Sequence, residues 1–290
     1  MIARFSIFIS LFLAATSLAA QEQPAYTIYN AKGKASNYAQ MLKAMQNADV
    51  VLFGELHDNP IVHWLQYETT RSLIAAKGAG YVRLGAEMFE ADVQQDLNRY
   101  LAGDTTLSEK DMIKICRAWP NYKTDYKPLV ELARENRIPF VASNIPRRYA
   151  GIVYRGGFEA LDTLPAAKKA HIAPLPVAYD STLPGYRDIF MAVGGHGTPN
   201  LPRAQAIKDA TMGWFVAQNL QAGGLFIHYN GTYHSDNHEG ILWYLNRYKP
   251  GLKIVTISSQ MQEKTGPLKK ENLGKGDFVI IVPESMTRTY

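Results

Sequence analysis

Short apolar runs alternate along this chain with longer stretches of helical periodicity. Val50-Val51-Leu52-Phe53 is an uninterrupted, short apolar run and reads as a strand. Over residues 61–76 the apolar positions recur at helical spacing, and Gly78 and Gly80 end the run. Residues 81–86 form a second strand-like run, closed by Glu87-Met88-Phe89. Helical stretches follow over 92–101, 107–116 and 126–136. Residues 139–142 make a third strand ending at Ser143-Asn144, and 224–229 a fourth. Residues 242–248 read as helix, and 253–257 and 277–282 as the last strands. This alternation predicts an α/β fold, a mainly parallel sheet flanked by helices.

Residues 145–202 break the rhythm. Leu164-Pro165, Pro174-Leu175-Pro176, Pro184-Gly185, Gly194-Gly195 and Pro199-Asn200 punctuate them. They predict a smaller insertion of short helices and loops within one α/β domain spanning 21–290, not a separate unit. No internal repeat interrupts the pattern.

Residues 1–20 have the form of a secretory signal peptide. Arg4 is basic, 5–15 are apolar apart from Ser6 and Ser10, and Ser17 to Ala20 offer small residues for cleavage. The run is shorter than the ~20 apolar residues that span a bilayer. With no Cys near the cleavage region, a lipid-modified N-terminus is not expected. The expected location is therefore periplasmic or secreted, with at most peripheral attachment to a membrane or receptor. The chain has 290 residues, 47% of them hydrophobic, enough to bury a large core. Its net charge of +5 is dispersed, with basic clusters no longer than Arg147-Arg148 and Lys168-Lys169. Nothing resembles the long basic stripe or module of a nucleic-acid binder, so no nucleic-acid partner is expected. Cys116 is the single cysteine, which excludes an internal disulfide. No catalytic pattern surrounds it, and a half-buried structural thiol is the expectation.

The candidate chemistry lies where strands end. The first strand runs into Gly54-Glu55-Leu56-His57-Asp58-Asn59-Pro60, with His63 six residues beyond His57. Asp58 or Asn59 capping a helix that starts at Pro60 accounts for three of these residues. It leaves Glu55 and His57 unexplained. The second strand ends in Glu87 and the third in Asn144. The fourth ends in Asn230-Gly231-Thr232-Tyr233-His234, with His238 and Glu239 close behind. In a parallel sheet these ends share one rim, where ligands bind. Glu and His there can hold a metal, exchange protons or bind a polar ligand. Plainer readings stand beside these: Glu87 paired with Arg83, Asn144 as a turn residue, His228 as a satisfied core histidine, His238 at the start of a crossover helix. Asp209, on a helix leading into the fourth strand, is either solvated or within reach of the rim. Gly194-Gly195-His196-Gly197 reads as a solvent loop or a cover over a ligand. No zincin, nucleophile-elbow, P-loop or dinucleotide motif is present.

Taken together, these residues resemble the ChaN-like haem-binding uptake family, of the superfamily that includes Tiki proteases and erythromycin esterases. The resemblance rests on Gly54 to Pro60 with His63 and Gln66, on Glu87-Met88-Phe89, on the helix around Asp209, and on Asn230-Gly231 with His234 and Gly240-Ile241. It extends from about residue 45 to the C-terminus. It implies an α/β core with a smaller helical insertion, haem binding linked to iron uptake at the cell envelope, a Tyr ligand and a homodimer. Members look like lipoproteins; this chain departs from them in lacking a lipobox Cys. The insertion supplies Tyr149, Tyr154, His171, Tyr179, Tyr186 and His196. Tyr179 and Tyr186, in Pro-rich surroundings that suit a surface-open haem, are with His171 the expected cofactor contacts. A second function draws on Glu55, His57, Glu87 and His234 alone. In it a hydrolase uses a histidine base, with a divalent metal or a proton relay on the carboxylates.

Overall fold

The computed structural model describes residues 23–192 and 198–290. The signal-like segment and His196 lie outside them. One eight-stranded sheet organises the chain, in the order β2-β1-β8-β7-β3-β6-β4-β5. Its strands are β1 (Thr27–Asn30), β2 (Ala35–Ser36), β3 (Val50–Glu55), β4 (Val82–Glu90), β5 (Phe140–Asn144), β6 (Leu225–Gly231), β7 (Ile254–Gln262) and β8 (Phe278–Pro283). The six strands from β3 to β8 are parallel to their neighbours, while β1 pairs antiparallel with β2 and β8. The parallel strands are those expected from sequence. The edge pair is additional, because Thr27-Ile28-Tyr29-Asn30 is too short to show a period.

The described residues form ten α-helices: α1 (Tyr38–Gln46), α2 (Pro60–Lys77), α3 (Gln94–Leu101), α4 (Glu109–Ile115), α5 (Lys127–Glu135), α6 (Arg147–Gly156), α7 (Ala166–Lys169), α8 (Pro184–Ala192), α9 (Asn200–Asn219) and α10 (Ile241–Tyr248). One face carries the larger core, where Met41, Leu65, Leu97 and Val130 from α1, α2, α3 and α5 meet Phe53, Leu84 and Ile227 of the sheet. On the other face, Met212 and Val216 of α9 and Ile241 and Leu245 of α10 cover Val50, Leu52 and Phe226. Strand β3 is covered from both sides, which is why its sequence is apolar at every position rather than alternating.

The described part of residues 145–202 holds α6, α7, α8 and the first residues of α9. Tyr149, Val153, Leu161 and Ile172 pack as a third cluster on Ile207 and Ala210 of α9. Helix α9 is thus buried between insertion and sheet. Asn59 caps α2, its side chain accepting from the N–H groups of Ile61 and Val62 at 3.1 and 3.2 Å, with Pro60 in the first turn. Cys116 is fully rather than half buried, and burial pushes its thiol up to about 12. No helix among the described residues is long and apolar enough to cross a membrane.

Candidate functional site

β6 lies between β3 and β4, so chain segments far apart in sequence end side by side. The pairing sets Glu55 opposite Gly231 and Glu90 opposite Asn144. The carboxyl ends of β3, β6, β4 and β5 therefore form one rim, where an open α/β sheet binds its ligands. Glu55, His57, Glu87 and His234 all converge there. Gly54 precedes Glu55 for a steric reason: a Cβ at that position would stand 2.8 Å from the carbonyl oxygen of Ile257.

Glu55 is buried and fully bonded. One carboxylate oxygen accepts from the ring Nδ1 of His57 at 3.0 Å and from the Tyr126 hydroxyl. The other accepts from the Gln66 amide at 2.7 Å. Burial pushes this carboxyl up, but His63, His57 and Gln66 outweigh that and hold it below its ordinary value. The Glu55 bond assigns the His57 proton to Nδ1, so Nε2 carries the lone pair. The His57 side chain is 39% exposed, and its ring packs edge-on against Trp119 at 4.7 Å. Burial lowers its basicity, yet Glu55 and Glu87 raise it more. Nε2 faces Gly231, where a Cβ would come within 2.8 Å of it.

Beside this pair lies a buried ionic chain. His234 Nε2 stands 3.1 Å from Glu87, and its Nδ1 bonds Asp209. The second Glu87 oxygen accepts the Gly231 N–H at 2.9 Å, and the second Asp209 oxygen accepts the Tyr186 hydroxyl at 2.8 Å. Burial disfavours charge on His234, but the two carboxylates prevail and push it up to about 10. The ring is therefore an imidazolium at neutral pH. Burial likewise raises Glu87, but His234 and His57 overcome it and hold the carboxyl well below the usual range. Asp209 is shifted upward by burial. His234 and both carboxylates are at most 9% exposed, so this chain is part of the site's frame rather than its contact surface.

These contacts decide between the open readings. Glu87 pairs with His234, whereas Arg83 donates to Gln221 at 2.7 Å. Asp209 does reach the rim. His228 is a satisfied core histidine, bonded to Ser143 at 2.8 Å and Asn230 at 3.1 Å, and burial lowers it to about 4. His238 precedes the helix rather than starting it: α10 begins at Ile241, and His238 faces Asp277 at 3.3 Å. Asn144 donates to the Glu87 backbone at 3.0 Å.

The insertion residues fall differently. Tyr179 packs between Phe158, edge-on, and Tyr186, tilted, with ring centroids 5.6 Å from each. Tyr186 is only 4% exposed, contrary to the surface-open position expected for it. Helix α8 turns that ring inward onto Asp209, and burial with the Asp209 charge keeps the phenol protonated. His171 lies partly buried just beyond α7, apart from the hydrogen bonds of the rim. Sequence reasoning missed Tyr126, Trp119 and Asn121. They lie in the connection between α4 and α5, a stretch whose polar and aromatic residues carry no spacing signal. A divalent metal finds no support, since among the described residues no group of three or more His, Cys, Asp or Glu is placed to hold one.

No curated protein matches this chain in sequence. Among solved structures, ChaN of Campylobacter jejuni, described with cofacially bound haem, superposes with a TM-score of 0.68 at 18% identity. That match covers 89% of this chain and 96% of ChaN, and it shows the fold. The type III effector HopBA1 matches with a TM-score of 0.47 at 12% identity, over 83% of this chain and 91% of its own. The erythromycin esterase EreC also gives 0.47, at 10% identity over 89% and 83%. Both are too distant to carry an argument. The family model for haem-binding uptake proteins, ChaN, of the Tiki superfamily matches residues 41–245, which include every rim residue described above, and the chain belongs to that family.

Proposed function

We propose that this protein binds haem or a related iron tetrapyrrole and serves iron uptake at the cell envelope. The observation that carries the reading is membership of the haem-binding uptake family across residues 41–245. The structural likeness to a ChaN described with bound haem supports it. A haem site needs an axial Tyr or His beside an apolar slot. Tyr179 meets that need best. It is partly buried beside the Phe158 and Tyr186 rings, and its hydroxyl, unlike that of Tyr186, is not committed to a buried carboxylate. Tyr186 would have to leave Asp209 to reach iron, so it contributes only its ring beside Tyr179. His171 is a further contact of the same proposal. Export by the N-terminal segment, peripheral attachment to a membrane or receptor, and pairing of two copies around the ligand belong to the same reading.

Haem titration of the purified mature protein, followed by absorbance, tests this. The expected result is a Soret shift that saturates at about one haem per chain, with band positions of a Tyr ligand. Tyr179→Phe should change the spectrum and weaken binding, and Tyr186→Phe should leave it close to wild type. An absent shift, or a Tyr179→Phe spectrum identical to wild type, counts against the proposal.

A second reading rests on a separate observation, the Glu55–His57 pair, whose Nε2 has no hydrogen-bond partner among the described residues. In it the rim is hydrolytic. His57 takes a proton from water as the water oxygen attacks a carbonyl carbon, then returns that proton to the departing oxygen. His57→Ala should then fold normally, lose turnover and keep haem binding. Loss of haem binding in that variant would join the two sites into one.

A further inference from the structure

His57 is held at both ends by one closed ring of hydrogen bonds. Its side chain donates from Nδ1 to Glu55 at 3.0 Å. The other Glu55 oxygen accepts from the Gln66 amide at 2.7 Å, and the Gln66 carbonyl accepts from His63 Nδ1 at 2.9 Å. His63 Nε2 lies 3.0 Å from the backbone carbonyl of His57, and donating there as well as to Gln66 takes a proton on each ring nitrogen; the circuit then returns to the residue where it began. Asn121 donates to the same carbonyl at 2.6 Å. Glu55, Gln66, His63 and Asn121 are all buried, and Trp119 stands edge-on to the His57 ring. One polar atom of His57's side chain is left outside the ring, Nε2. It opens toward Gly231, the position where a side chain would collide with it.

Burying this many polar groups costs free energy unless each one is paired in a single geometry. A turn that only needed to leave the sheet would be served by the Asn59 cap. The ring does something the cap cannot: it fixes tautomer and orientation together. We infer that His57 Nε2 is the working atom of the rim, a lone pair set to take a proton from a bound hydroxyl or water, and that Gln66 and His63 are its positioning residues. Neither positioning residue opens onto the rim. Gln66 is fully buried in α2, and His63 is 4% exposed behind it. The inference rests on the hydrolytic reading for what the proton transfer achieves, but not for the positioning itself.

The groups facing His57 are Glu55, Glu87 and His234, with the uncharged Trp119 ring at its edge. Of these groups only Glu55 bonds the ring, so Glu55 is the partner that selects the tautomer.

Nitrogen-15 spectra of the imidazoles in the full-length mature protein test the inference without any variant. His57, assigned by its loss in His57→Ala and read at alkaline pH because Glu55 and Glu87 raise its basicity, should show one neutral tautomer, protonated at Nδ1 with Nε2 bare. A proton on Nε2, or a fast mixture of tautomers, would overturn it. Gln66→Leu breaks the ring at its centre. It should shift the His57 tautomer ratio by about tenfold, the equilibrium worth of one charge-assisted bond. A folded Gln66→Leu protein with an unchanged His57 spectrum would refute the positioning role. Turnover of p-nitrophenyl acetate is measured on the same samples and belongs to the hydrolytic reading. A fixed Nδ1 tautomer without turnover removes the hydrolase and leaves the positioning device intact. A loose ring with turnover removes the device.

Discussion

Replacing His234 with Gln removes the cation from between two buried carboxylates. In the native protein the ring lies 3.1 Å from Glu87 and bonds Asp209, with side-chain exposures of 5% for His234, 9% for Glu87 and 1% for Asp209. Each carboxylate keeps one other donor, the Gly231 N–H and the Tyr186 hydroxyl. Neither donor carries a charge. Removing one partner of a buried pair costs roughly 3–5 kcal/mol, because the charge left behind has no compensation. At the per-kcal/mol shifts usual for domains of this size, that lowers the Tm by on the order of 10 °C. The pH dependence adds a sign. His234 is raised to about 10, so its stabilising contribution is complete below its ordinary value and is lost as pH rises through about 10. In His234→Gln the two unpaired carboxyls are pushed upward, and their penalty shrinks as falling pH protonates them. Thermal and urea unfolding followed by circular dichroism at about pH 7.5 and about pH 5 should show a deficit that is larger at the higher pH. Adding Asp209→Asn to His234→Gln should recover part of the loss. A deficit under about 1 kcal/mol, the worth of an exposed pair, or one indifferent to pH, would refute the account of a buried imidazolium.

Three other outcomes follow from local geometry. Gly54→Ala brings a Cβ to within 2.8 Å of the Ile257 carbonyl oxygen, and β3 has packed strands on both sides. It should destabilise by about 1–3 kcal/mol or more in urea unfolding, and a neutral result would mean the sheet yields there. Gly231→Ala should displace the His57 ring, visible as altered His57 imidazole shifts in a protein that still folds; unchanged shifts would show that Nε2 does not face Gly231. Cys116, buried with its thiol pushed up to about 12, should resist Ellman's reagent in the native protein and react at one thiol per chain once unfolded; rapid native labelling would contradict that burial.

Much of the scaffold was legible because parallel strands buried on both faces leave continuous apolar runs. The run from Val50 to Phe53 is β3, and each of the other runs lies on a parallel strand. Strand ends were less legible. β4 continues past Glu87 to Glu90, with an irregular register against β5, and apolar Met88 and Phe89 carry no mark of that bulge. The β1–β2 edge was missed because four residues and two residues show no period. The helical character of α9 was visible around Asp209. Its burial on opposite sides was not, because that depends on the insertion folding back over it.

By itself the sequence determined the α/β alternation, the convergence of Glu55, His57, Glu87 and His234 on one rim, and the family. Those follow from local periodicity and from the rule that parallel strands end together. Only the tertiary structure decided what each side chain does there. Strand β6, more than 130 residues beyond β4, enters between β3 and β4 and brings His234 to Glu87. Helix α9 delivers Asp209 to the same ring, and α8 turns Tyr186 inward and ends its candidacy as an open haem ligand. Tyr126 and Asn121 reach Glu55 and His57 from a segment with no pattern of its own. Hydrogen bonds and ion pairs depend on separations of about 3 Å, and such distances between remote segments are fixed by packing, which local sequence spacing does not encode.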